Sequence, residues 1–178
     1  MNRRVRVALA ILIFVLAGAL VACGEDPKPK KEIAASDFSD PENGVSFRAP
    51  AGAVIGDGRE TQVVVLRRGN STLVVSRFDR AGADLPRTET QLERAARALE
   101  GEYRRKGART ARSRPDASAT AVMVLTEEGA DKGTHVHFYE RGNEYVVDCV
   151  SPSRDFKRAQ SLLCDPVAGT IVFSRPRS

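Results

Sequence analysis

The 178-residue chain carries 42% hydrophobic and 29% charged side chains and no tryptophan, a length and composition that suit one domain with a real core. Its 28 basic and 23 acidic side chains give a net charge of +5, but Arg3, Arg4 and Arg6 supply three of those charges in a 22-residue opening stretch without acids. Without that stretch the balance falls to +2, which removes the main support for a general nucleic-acid function.

After those arginines, residues 7–20 form an almost uninterrupted apolar run, and Leu20-Val21-Ala22-Cys23 ends it with small residues and a cysteine. This is the order of a secretory signal. The apolar stretch 7–22 is 16 residues, roughly 24 Å as a helix at about 1.5 Å per residue, short of the ~30 Å hydrocarbon core. A permanent span is the weaker expectation. The last four residues resemble the lipobox of bacterial lipoproteins. That resemblance implies a signal peptide over residues 1–22, cleavage before Cys23, diacylglycerol on its thiol and a further acyl chain, such as palmitate, on the new amino terminus. Two or more chains hold a protein lastingly, each buried methylene contributing about 0.8 kcal/mol. The expected location is the extracytoplasmic face of a cell membrane.

Residues 24–36, GEDPKPKKEIAAS, are polar, charged and proline-bearing, so 23–37 reads as a lipidated tether. Extended at about 3.1 Å per residue, it reaches roughly 40 Å from the lipid. Residues 38–178 show no repeat and no second linker and are expected to form a single domain.

That domain begins with strands. Gly44-Val45-Ser46-Phe47 alternates between the Asn43-Gly44 turn signal and Pro50. Residues 62–66 and 72–75 flank Arg68-Gly69-Asn70 and predict an antiparallel hairpin, and the apolar run 63–66 suggests a sheet covered on both sides there. A helix follows. Thr88-Glu89-Thr90-Gln91 has capping-box spacing, Leu92, Ala95, Ala96, Leu99 and Tyr103 recur at helical intervals, and Gly107 stands where a left-handed cap belongs. Strands are expected over 119–127, 134–140 and 144–150, the last two joined tightly through Arg141-Gly142-Asn143. Ser153 is placed to cap a short helix bearing Phe156, Ala159 and Leu163, interrupted near Pro166. Strands, helix, strands, helix, with hairpin links, predict an α+β fold: an antiparallel sheet of about six strands with two helices.

This pattern resembles the PsbP-like and LpqN-like sandwich proteins, which include many bacterial lipoproteins. The likeness rests on Phe38 followed by Asn43-Gly44-Val45-Ser46-Phe47-Arg48-Ala49-Pro50, on the long helix ending at Lys106-Gly107, and on the closing helix leading to Ile171-Val172-Phe173-Ser174. It implies a binding or assembly module with no shared catalytic motif and no cofactor.

With Cys23 committed to lipid, Cys149 and Cys164 remain as an even pair outside the membrane, which predicts a disulfide across 15 residues. His135 and His137 are the only histidines and share one face of a strand. They are weak candidates for zinc or copper with Asp131 or Asp148 as third ligand; the expectation is rather that they lie on the less buried face, with Val136 and Phe138 toward the core. The sequence contains no Gly-x-Ser-x-Gly, phosphate-loop, His-Glu-x-x-His or Ser-x-x-Lys motif, so no catalytic residue is assigned. A nucleophile built from Cys149 and His137 requires the disulfide to be absent. Arg104, Arg105, Lys106, Arg109, Arg112 and Arg114 form a run with no acid between Tyr103 and Asp116, a candidate patch for an anionic partner. Together these features predict a non-catalytic, lipid-anchored binding or assembly protein of the bacterial cell envelope, its partner an envelope protein, lipid or wall polymer. The alternative is an envelope metal-binding protein or hydrolase using His135 and His137.

Overall fold

The structure is a computed structural model that describes residues 34–116 and 119–176. The signal, Cys23 and most of the tether lie outside the described residues.

Hairpins order the main sheet. β3 (Val54–Asp57), β4 (Gln62–Arg68), β5 (Ser71–Asp79), β6 (Thr110–Asp116), β7 (Ala121–Glu128), β8 (Asp131–Glu140) and β9 (Asn143–Pro152) line up as β3-β4-β5-β9-β8-β7-β6, every neighbour antiparallel. β1 (Ser36–Asp40), β2 (Val45–Ala49) and β10 (Val172–Phe173) make a second, three-stranded sheet with β2 in the middle. The fold is α+β, as expected, with seven strands in the main sheet rather than about six.

Helix α1 (Glu89–Arg105) starts at a capping box in which the Thr88 hydroxyl accepts from the Gln91 amide and the Gln91 side chain accepts from the Thr88 amide. Gly107 follows it at φ +112°, the left-handed region that a side chain resists. Leu92, Ala96 and Leu99 pack on Ala111, Val122 and Val124, so α1 lies across β6, β7 and β8. The opposite sheet face carries the larger core: Leu66, Leu73, Val75, Tyr145 and Val147 meet Val45 and Phe47 of the small sheet and Leu163 and Val167 of the C-terminal helical run.

That run comprises α2 (Phe156–Ala159), a π-helical turn (Gln160–Cys164) and α3 (Asp165–Ala168). Two expectations change here. Asp155, not Ser153, stands at the start of α2, and Pro166 does not interrupt the helix. It falls inside one continuous helical run, and the Leu162 carbonyl four residues earlier accepts from the Arg68 side chain instead.

The run 63–66 is not covered on both sides. Val64 and Leu66 are buried and Val63 packs partly against the same core beside a register shift, while Val65 is only half-buried because the 17-residue α1 reaches no further across the sheet than β8. Beyond it Val54, Val65 and Val74 are half-buried on the same face and Val150 is 37% exposed. Two-sided cover belongs to β8 and β9, whose successive residues from Gly133 to Phe138 and from Asn143 to Val147 are all buried.

Candidate functional site

The two histidines lie beneath α1, not on an open face. β8 puts His135 and His137 on the side where α1 crosses, and at 8% and 6% exposed they are as buried as Val136 and Phe138, at 7% and 8%, on the reverse side. Tyr103, in the last turn of α1, covers them. Its ring lies 4.3 Å from that of His135 and its hydroxyl 3.1 Å from His137 Nε2.

Strand β9 brings the carboxylates. In register with β8, it sets Asp148 opposite His135 and Glu144 one pair diagonal to His137. His135 Nδ1 meets Asp148 Oδ1 at 2.7 Å, and His137 Nδ1 meets Glu144 Oε1 at 2.8 Å. An ionised carboxylate only accepts, so Nδ1 carries the proton in each ring. Nε2 of His135 then accepts from the Thr126 hydroxyl at 2.8 Å, and Nε2 of His137 from Tyr103. Arg80 closes the chain, donating through Nε at 3.0 Å and Nη2 at 2.7 Å to the second Glu144 oxygen, with its guanidinium 5.5 Å from the Phe78 ring. Gly133 leaves the room this needs: a Cβ there would stand 2.5 Å from His135 Nε2 and 2.7 Å from Thr126 Oγ1.

The electrostatics follow from enclosure and pairing. Burial pushes the Glu144 carboxyl up, but hydrogen bonds from His137 and Arg80 outweigh it and hold the group below the usual carboxylate range. Burial, with the charges of Asp148, Glu102 and Glu144, raises the Tyr103 phenol well above its ordinary value and keeps it a neutral donor.

Thr126, His135 and Asp148 have the hydroxyl–imidazole–carboxylate spacing of a nucleophile relay. The hydroxyl sits on a residue only 8% exposed, on the sheet face that carries α1. All four imidazole nitrogens are engaged, and among the described residues no group of three or more His, Cys, Asp or Glu side chains is placed to hold a metal ion. Asp131 stays at the β7–β8 turn, paired with Pro152 and four residues along the strand from His135.

Cys149 is bonded to Cys164, with Cα atoms 5.9 Å apart. Alternation along β9 puts Cys149 on the face opposite Asp148, and so away from His137, which rules out a Cys149–His137 nucleophile on both counts.

The six basic residues do not form one surface. Arg104 donates to the Ala111 carbonyl at 3.0 Å, Lys106 pairs with Glu102, and Arg109 shares Glu127 with Lys132. Residues 110–116 form a strand, so Arg112 and Arg114 project from the face opposite Ala111 and Ser113, and Arg114 rests on the Met123 sulfur at 3.4 Å. Arg105 and Arg112 have no ion-pair partner among the described residues.

No family model and no curated protein matches the sequence. Solved structures do match the fold. CyanoP, the cyanobacterial PsbP of Synechocystis, is similar at a TM-score of 0.51 and 17% identity, the match covering 88% of this chain and all of that one. The fold is PsbP-like. Mog1p, a Ran-binding protein of Saccharomyces cerevisiae, is similar at a TM-score of 0.54 and 9% identity over 79% of this chain and 95% of its own. A Bacteroides thetaiotaomicron protein matches at a TM-score of 0.50 and 11% identity, over 80% of this chain and half of its own.

Proposed function

We propose that this chain is a non-catalytic binding or assembly protein of the bacterial cell envelope, held on the extracytoplasmic face of a membrane through acyl chains on Cys23. The observation that carries the non-catalytic part is the closure of the network under α1. His135, His137 and Glu144 are buried and each is satisfied by another group of the network, with only Asp148 and Arg80 reaching solvent at its rim, an arrangement that fastens a helix to a sheet. The surface left for a partner is the half of the sheet face that α1 leaves uncovered, around Val54, Val65, Val74 and Val150. A fold of the kind found in a Ran-binding protein and in a cyanobacterial PsbP is consistent with protein binding. Cys23, after Leu20-Val21-Ala22, supports the anchor.

Fractionation of bacteria expressing the Cys23→Ala variant tests the anchor. Wild type should incorporate labelled palmitate and sediment with membranes, and the variant should do neither. Equal sedimentation of the two, or failure of palmitate to enter wild type, removes the placement.

A hydrolase reading draws on the Thr126–His135–Asp148 spacing alone. It requires α1 to lift from the sheet, and its mark would be covalent labelling of Thr126 by an organophosphonate.

A further inference from the structure

The geometry points to a binding site for a small oxyanion, a phosphate or carboxylate group bearing at most a short apolar part, in the cleft between the β4–β5 turn and the C-terminal helical run. The cleft encloses about 280 Å³, at the small end of ligand pockets, which fits a phosphate or short organic acid and not a nucleotide or acyl chain. It lies on the sheet face opposite the histidine network and owes nothing to the anchor, so it goes beyond the assembly reading and stands or falls separately.

Two guanidiniums define it. Arg68, the last residue of β4, and Arg158 of α2 both line the cleft, with Asn70, Ser71, Leu162 and Leu163. Neither arginine has an ion-pair partner among the described residues. Asp155 also borders the cleft, 3.6 Å from the Nε of Arg154. Arg68 is half-buried and makes no ion pair, and with Arg158 on the same cleft it presents positive charge, offset there only by Asp155, that an anion entering the cleft would meet. Planar guanidinium forks meet phosphate and carboxylate oxygens two at a time.

The local sequence fixes Arg68 in place. Pro166 offers no N–H to the Leu162 carbonyl one turn earlier, and Arg68 Nη1 takes that position at 2.7 Å. This holds the guanidinium at the cleft while its other donors have no acceptor among the described residues. Leu162 belongs to the π-helical turn, a kind of helix defect that recurs at functional sites. The same turn ends at Cys164, whose disulfide to Cys149 fastens the cleft's apolar wall to β9. The Ser71 residue, 6% exposed, adds a hydroxyl at the mouth of β5, and Leu162 and Leu163 give the apolar contact that a short side chain on the ligand would use.

Calorimetric titration of the full-length protein in detergent, at fixed ionic strength, with sodium phosphate in one arm and butyrate in the other, tests the site. Saturable one-site binding is expected in at least one arm, and the tighter arm identifies the oxyanion as phosphoryl or carboxyl. Arg68→Gln should abolish binding. Arg158→Gln removes an exposed side chain without a structural contact, so it should fold as wild type and bind at least tenfold more weakly. Arg112→Gln, on β6 and not among the residues lining the cleft, should bind as wild type. Absence of saturable binding in both arms overturns the site, as does equal affinity of wild type and Arg158→Gln.

Discussion

Tyr103 holds two histidines at once, one through its ring and one through its hydroxyl, and this makes it the residue on which the α1 side of the molecule depends. Replacing it with Phe keeps the stacking but leaves His137 Nε2 buried without a donor, a cost of about 1–3 kcal/mol. The pH dependence has a defined sign. The phenol is raised in the folded state, so its contribution is complete below the ordinary tyrosine value of about 10 and is lost as pH climbs past it. Glu144 is depressed, so its contribution is complete above the ordinary carboxylate value of about 4.3 and is lost as pH falls through its lower folded value. Urea unfolding across pH should therefore show Tyr103→Phe with a shallower alkaline decline and Glu144→Gln with a shallower acid decline. Tyr139, also raised by burial, keeps part of the alkaline limb in the Tyr103 variant. A Tyr103→Phe protein as stable as wild type at neutral pH would mean that the hydroxyl contributes nothing.

Among the elements, α1 is the one whose removal from the sheet would expose most of this chemistry. Leu92 is fully buried against β6 and β7, and Leu92→Ala should cost about 2–5 kcal/mol in urea unfolding, with the loss shared by the histidine contacts above it. The sequence makes α1 legible because the capping box, the apolar spacing and Gly107 agree. The β8–β9 hairpin was equally legible: a two-residue turn at Arg141-Gly142 fixes the register that sets Asp148 opposite His135. Tyr103 could be read as part of the helix's apolar face, but not as the partner of residues more than thirty positions away. That depends on where α1 crosses the sheet. β1, β3, β6 and β10 escaped for a different reason. Each is an edge strand, held by backbone pairing, and edges favour charge and proline over apolar alternation, as Arg112, Arg114 and Pro115 show. With no strand expected over 110–116, Arg112 and Arg114 look continuous with the cations at the end of α1; the pairing of β6 with β7 turns them to the other face.

At the scale of the molecule, the disulfide joins the strand at the sheet's centre to the helical run that closes the opposite face. Its 15-residue separation predicts a loss of about 3 kcal/mol when both cysteines become serine. Urea unfolding of the double variant checks this, and mass spectrometry of unreduced, alkylated wild type should find neither Cys149 nor Cys164 modified. The chain enters this domain on β1 and leaves it just after β10, and both strands flank β2 in the small sheet. The chain therefore enters beside Ala49 and leaves beside Val45, at the two ends of β2, but both ends lie on the side of the main sheet away from α1. A handle fused at either end, or a surface to which the protein is fixed by one, would leave the helix and the bare valines beside it facing outward for whatever approaches.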